Sequence, residues 1–182
     1  FMDGQFVRDR SVKLSDVPNL KNFDNKFEAH LMVRDPKKWI KRLKNKGFHK
    51  VIFHYAAVAD DKEIIKLIND IHKLDMEAFI AVDPQIREDE IYDFLDDVDG
   101  VLIMGVYPGR ERQDLQHKTY YKLENLKKEK RNLILQVDGG INLKTAKSLV
   151  KSGAVILNSG SFVSRNKEPK KAYIDLVNTA NS

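Results

Sequence analysis

Two short apolar runs near the C-terminus end in residue types that can do chemistry. Residues 133–141 read Leu-Ile-Leu-Gln-Val-Asp-Gly-Gly-Ile, and residues 153–161 read Gly-Ala-Val-Ile-Leu-Asn-Ser-Gly-Ser. Each reads as a buried parallel strand that ends in glycine where a helix should start. Adjacent strand ends of this kind aim backbone N–H groups and helix N-termini at one point, which is how a phosphate is held. Asp138 closes the first run beside that point. A carboxylate fixed next to a bound phosphorylated small molecule points to proton transfer. An aspartate that ends an apolar strand and precedes two glycines has little structural purpose of its own.

The elements that must position these turns recur along the chain. Strand-like runs cover 27–33, 50–54, 77–82, 100–106, 133–138 and 155–158, all rich in Val, Ile, Leu and Phe. Amphipathic helical stretches lie at 36–46, 61–74, 88–95, 116–130 and 143–151, with a final helix over 169–179. Pro36 suits a first helical turn and Gly47 a C-terminal stop. A helix between each pair of strands is the pattern of stacked βα units and a parallel sheet. No linker or low-complexity tract interrupts it, so residues 1–182 read as a single domain.

Composition bounds the function. The chain has 182 residues, 42% of them hydrophobic, enough for one substantial core. It lacks cysteine, which excludes disulfides and thiolate metal sites and fits a reducing compartment. No apolar run approaches the ~20 residues of a membrane span, and no signal-like segment opens the chain; a cytoplasmic location is the expectation. The net charge of +5 comes largely from lysines and arginines around 37–46 and 127–131. Their helical spacing describes a solvated outer face. No aromatic interleaving or binding motif suggests nucleic acid.

An open doubly wound sheet usually carries its glycine-rich phosphate turn after the first strand, as G-x-G-x-x-G. Here that pattern is missing and the glycine turns follow the last two strands, as they do after strands seven and eight of a TIM (β/α)8 barrel. Counting back makes 27–33 the third strand. The first strand, first helix and most of the second strand would then be absent from this chain, an incomplete barrel whose opening residues Phe1-Met2-Asp3-Gly4 read as a strand end and its loop. Open sheet edges would invite self-association, so a homo-oligomer is one expected state.

Six motifs now stand in order: Met2-Asp3-Gly4-Gln5-Phe6-Val7; Ala29-His30-Leu31-Met32-Val33 followed by Pro36; Phe53-His54; Ile103-Met104 with Pro108-Gly109 and Gln113; Val137-Asp138-Gly139-Gly140-Ile141; and Ser159-Gly160-Ser161-Phe162. Together they resemble the ribulose-phosphate 3-epimerase family and its relatives among the ribulose-phosphate-binding barrels. The resemblance implies epimerisation of a ketopentose phosphate, ribulose 5-phosphate to xylulose 5-phosphate. Such a reaction removes the proton beside a carbonyl and returns one to the opposite face. Two carboxyl groups across a flat enediolate can do this, with a cation at its oxygens.

Carried over position by position, His30 and Asp138 fall on family ligands to a divalent metal (zinc, iron, manganese or cobalt), and Asp138 also on a proton carrier. Gly109, Gly139, Gly140, Gly160 and Ser161 fall on the phosphate cradle, and Met2, Met32 and Met104 on the apolar pocket wall. The family's H-x-D segment, which supplies the other histidine and aspartate, would stand just ahead of Met2. Asp3 does not replace it. Residues 1–182 alone are therefore expected to be inactive, and the small-molecule partner to be a sugar phosphate.

Bland readings compete at several positions. A lone histidine on an apolar strand is commonly a satisfied core residue, and the methionines also suit core filling. His54, at the tip of the next strand, reads as a hydrogen-bonding neighbour rather than a ligand. Between Pro108-Gly109 and Gln113 the family usually has an aromatic and two glycines, where this chain has Arg110-Glu111-Arg112; the two arginines are phosphate forks or surface residues with equal justification. A non-catalytic phosphosugar-binding relative, or an epimerase of another ketose phosphate, is the alternative. A decarboxylase or lyase of the same barrel group would show D-x-K-x-x-D on its second and third strands, and Glu28-Ala29-His30 does not suggest it.

Overall fold

A computed structural model describes residues 1–109 and 113–182. Its six strands are β1 (Glu28–Leu31), β2 (Lys50–His54), β3 (Glu77–Val82), β4 (Gly100–Met104), β5 (Ile134–Asp138) and β6 (Ile156–Asn158). The helices are α1 (Ile40–Lys46), α2 (Asp61–His72), α3 (Lys118–Glu129), α4 (Ala146–Lys151), α5 (Ser161–Ser164) and α6 (Pro169–Ala180). All six expected strands form, and the class is α/β with parallel strands. By its contacts the chain gathers into two compact units: residues 1–81 with 93–100, and residues 82–92 with 101–182.

In the first unit, β1, β2 and β3 run parallel in chain order. Past its first residue each of β2 and β3 is buried throughout. Strands covered on both faces carry continuous apolar runs rather than alternation, which is why Val51-Ile52-Phe53 and Ala78-Phe79-Ile80 were legible. Lys50 begins β2 in register with Glu28 and Glu77, and its ammonium lies 3.3 and 3.8 Å from their carboxylates. Helix α2 buries Ile64, Leu67, Ile68 and Ile71, a stripe of i, i+3, i+4, i+7 spacing. Its start is fixed by Asp60, whose side chain accepts the Glu63 N–H at 2.9 Å. The expected helix over 36–46 divides into a 3₁₀ turn, Pro36–Lys38, and α1. Gly47 ends α1 with φ of 97° and donates to the Leu43 and Lys44 carbonyls.

The opening residues run parallel beside β1. Met2 bridges Met32, and the Met32 N–H donates to the Phe1 carbonyl at 2.8 Å. Asp3 then fastens the turn that follows. Its carboxylate accepts the amides of Gln5 (2.8 Å), Phe6 (3.0 Å) and Arg34 (2.9 Å). Burial pushes this carboxyl up, but the three amides together hold it below the ordinary aspartate value.

In the second unit β5 and β6 pair in parallel, with Gln136 opposite Ile156 and Asp138 opposite Asn158. Helix α3 carries a lysine in the interior. Lys122 is 4% exposed, and its ammonium donates to the carbonyls of Asp83 (2.7 Å), Pro84 (3.2 Å) and Ile86. Burial pushes this ammonium below the ordinary lysine value.

One further expectation changes in kind. Residues 88–95, read as an amphipathic helix, form a 3₁₀ helix over Glu88–Phe94. The stretch is short and buries Ile91 and Phe94, three apart, a spacing that eclipses on a 3₁₀ helix. Helix α5, four residues long, had no periodic signal to announce it. Among the described residues no helix is long and apolar enough to cross a membrane.

These contacts set the stability of both units. Asp3→Ala removes one acceptor group from three amides and is expected to cost about 1 kcal/mol at neutral pH. The folded carboxyl titrates below its unfolded value, so its contribution is present above the ordinary aspartate range and is lost as pH falls through the lower folded value. Melting curves of wild type and variant should converge in acid; a pH-independent gap would contradict the assignment. Lys122→Met strips a buried carbonyl cluster of its donor and is expected to cost about 1–3 kcal/mol in urea unfolding. An unchanged midpoint would show that the carbonyls find other partners.

Candidate functional site

The second unit builds a paired turn at the tips of β5 and β6. Beyond Asp138, Gly139 and Gly140 both take left-handed backbone, with φ of 95° and 73°. The turn also leaves no room for side chains. A Cβ at Gly139 would stand 2.5 Å from Val106 Cγ2, and one at Gly140 2.9 Å from the Leu115 backbone. Gly105, at the end of β4, donates its N–H to the Asp138 carbonyl at 2.7 Å. A Cβ at Gly105 would lie 2.3 Å from the Gly139 carbonyl oxygen. Glycine is thus required at all three positions.

Downstream, Thr145 Oγ1 donates to the Gly140 carbonyl at 2.9 Å and accepts the Asn142 N–H at 3.0 Å. The β6 turn is joined to this one by Ser159, whose hydroxyl donates to the Ile141 carbonyl at 3.5 Å. Gly160 opens α5, and its carbonyl accepts the amides of Val163 and Ser164. A Cβ at Gly160 would meet nothing within 4 Å. This glycine borders open space, whereas those of the β5 turn are forced by crowding. Ser161 is exposed beside it.

The strand register therefore brings Asp138, Gly139, Gly140, Gly160 and Ser161 together at one end of a parallel pair. Asp138 is half-buried there. Gly109, in the same unit, adopts φ of 81° in the loop after β4, and the Gln113 carboxamide closes that loop by donating to the Tyr107 carbonyl at 2.7 Å. Met104 is buried at the end of β4. Arg110 and Arg112 lie outside the described residues.

The first unit supplies a histidine pair. His30, in β1, and His54, at the tip of β2, face each other with Nε2 atoms 2.9 Å apart and rings nearly parallel, 10° between planes. One ring must donate and the other accept, so two protonated rings cannot keep this contact. Phe6 packs on His54 with centroids 4.8 Å apart, and His54 is fully buried. Met2 and Met32 lie half-buried beside this group. Sequence reasoning marked His54 as a hydrogen-bonding neighbour, and its contact to His30 is that role. The remaining polar pair, Gln136 with Asn158, had no motif to reveal it: Gln136 Nε2 donates to Asn158 Oδ1 at 2.9 Å.

The divalent metal implied by the resemblance asks for a cluster of nitrogen and carboxylate donors. Among the described residues no three histidine, aspartate or glutamate side chains converge on one point. His30 also commits its Nε2 to His54. These residues do not by themselves make a metal site.

Comparison with known proteins agrees with the turns. The profile of the Ribulose-phosphate 3 epimerase family matches residues 1–164. Ribulose-phosphate 3-epimerase of Schizosaccharomyces pombe is 31% identical over 182 residues, spanning 98% of this chain and 78% of that protein. The Bacillus subtilis ribulose-phosphate 3-epimerase is 29% identical, over 96% of this chain and 82% of its own. Solved structures show the fold more widely. KGPDC of Streptococcus mutans superposes with a TM-score of 0.67 at 16% identity, over 87% of this chain and 73% of that one. The 3-hexulose-6-phosphate synthase of Salmonella typhimurium gives 0.68 at 16%, over 86% and 74%. Those two share the parallel α/β fold at an identity too low to carry function, while the epimerases share nearly twice the sequence. With its paired glycine turns, its motif order and a profile match from the first residue through the end of α5, the chain belongs to the ribulose-phosphate 3-epimerase family of isomerases.

Proposed function

We propose that this protein interconverts ribulose 5-phosphate and xylulose 5-phosphate by moving the proton at C3. Family membership supports the reaction class, and the observation that carries the residue assignment is the β5–β6 tip. There a carboxylate, Asp138, stands directly before two glycines whose backbone is left-handed, next to the Gly160 turn. In this reading the amides of Gly139, Gly140, Gly160 and Ser161, with Gly109 from the β4 loop, hold the phosphate. A fold neighbour whose name carries a sugar phosphate, the 3-hexulose-6-phosphate synthase, is in keeping with a ligand of that class.

Asp138 takes the C3 proton on one face of the ketose, and the proton delivered to the opposite face comes from a second acid, which by the resemblance the family's H-x-D segment would supply. The main chain of Asp138 is fixed by the Gly105 N–H, which gives the carboxylate a rigid base. Met104, buried at the end of β4 in the same unit, supplies an apolar wall that keeps water from the enediolate. As metal ligands, His30 and Asp138 would contribute one nitrogen and one carboxylate, and further donors would have to complete such a site.

The test uses the protein as its gene encodes it. Asp138→Asn is expected to lower exchange of the C3 proton of ribulose 5-phosphate with deuterated solvent by at least about 10²-fold. Calorimetric binding of ribulose 5-phosphate should survive, because the amides of the turn are untouched. Exchange at the wild-type rate in this variant would overturn the assignment. Binding without exchange in the wild-type protein would leave a phosphosugar-binding relative in its place.

A further inference from the structure

The second unit holds an amide pair, Gln136 buried and Asn158 half-buried, that the phosphate turns and the proton carrier do not explain. Gln136 is fully buried in the middle of β5, and its Nε2 donates to Asn158 Oδ1 at 2.9 Å. Residues two apart on a strand share a face, so Gln136 and Asp138 lie on one face of β5. The contact with Gln136 sets the Asn158 side chain on that same face of β6. Register places Asn158 directly opposite Asp138, and Gln136 one repeat further back, opposite Ile156.

This arrangement orients a carboxamide. The Asn158 oxygen is drawn back toward Gln136, away from the strand tip. Its Nδ2, a donor of two protons, is left at the level of Asp138. Paired strands stand about 4.8 Å apart, so opposed side chains on one face are within reach of each other. Asn158 also follows Val155, Ile156 and Leu157, where another apolar residue would extend the run.

The geometry points to Asn158 as a positioning residue for Asp138: its Nδ2 donates to the Asp138 carboxylate across the β5–β6 pair, and Gln136 sets which end of the carboxamide faces forward. The inference rests on the reading of Asp138 as the proton carrier and adds how that carrier is held. A carboxylate that must meet one C–H bond from one side needs a single rotamer, and a hydrogen bond from a neighbouring strand selects it. Gln136 acts one step further back, through Asn158.

Two measurements on the protein as encoded decide the matter. In the ¹⁵N-labelled protein the side-chain amide protons of Asn158 are identified by their loss in Asn158→Leu. Asp138→Ala is expected to shift them upfield, because a charged acceptor is removed; unmoved resonances overturn the proposal. In steady-state kinetics, Asn158→Asp keeps an acceptor for Gln136 but reverses the end facing Asp138. It is expected to lose about 10²-fold in kcat with KM for ribulose 5-phosphate little changed. If Asn158 only props Gln136, Asn158→Asp keeps the wild-type kcat, which overturns the proposal. The double variant Gln136→Leu/Asn158→Leu removes both polar groups together, leaves no orphaned amide and so preserves the fold. It should show the same fall in kcat. Activity retained in Asp138→Asn would sink the parent reading, whereas activity lost there but kept in Asn158→Asp would sink this one alone.

Discussion

The second unit is organised around one close approach between backbones. The Gly105 N–H reaches the Asp138 carbonyl at 2.7 Å, and the space a Cβ would occupy at Gly105 is already taken by the Gly139 carbonyl oxygen. That single contact joins the end of β4 to the end of β5 and sets where the following turn begins. The turn then has to bend under Val106 and Leu115, which forces two consecutive left-handed residues. Replacing any of the three glycines pushes a backbone carbonyl or a packed side chain aside. The same displacement would move Asp138, so the carboxylate's position is a consequence of packing at three residues that have no side chain.

Two aspartates at strand ends show how backbone geometry divides structure from reactivity. Asp3 gives its carboxylate to three main-chain amides, and its acidity is held down by them. A carboxylate so saturated is a poor proton acceptor, because protonation must break its own turn. The main chain of Asp138 is held through its carbonyl, which accepts the Gly105 N–H. Elsewhere interior polar groups come matched: Lys122 with three carbonyls, Gln136 with Asn158, His54 with His30. Among the described residues only Thr119 Oγ1 is a buried side-chain polar atom without a partner.

Local signals made much of this legible in the sequence. Strands β2 and β3 stand out because both faces are covered, and α2 because one face is. The glycine turns stand out because left-handed backbone and steric crowding admit little else. What depended on register was not legible. Gln136 meets Asn158 only because β5 and β6 pair with a particular offset, and nothing within either run states that offset. Lys122 lies in the charged sequence Lys-Leu-Glu-Asn-Leu-Lys-Lys and reads as surface, yet the segment after β3 presents it with a ring of carbonyls. The stretch 88–95 had helical periodicity, but three-residue spacing of its buried side chains serves a 3₁₀ helix as well.

The histidine pair shows the same limit and adds a chemical constraint. His30 and His54 come from strands paired in register one step apart: His30 opposes Ile52, and His54 lies two residues further on. Side chains on one face at that offset converge diagonally across the pair, which brings the two Nε2 atoms to 2.9 Å. Phe6 packs on the His54 ring, with centroids 4.8 Å apart. Within the histidine contact one ring lends a proton and the other a lone pair. The contact ties the tip of β2 to the middle of β1 by side chains as well as by the strand ladder.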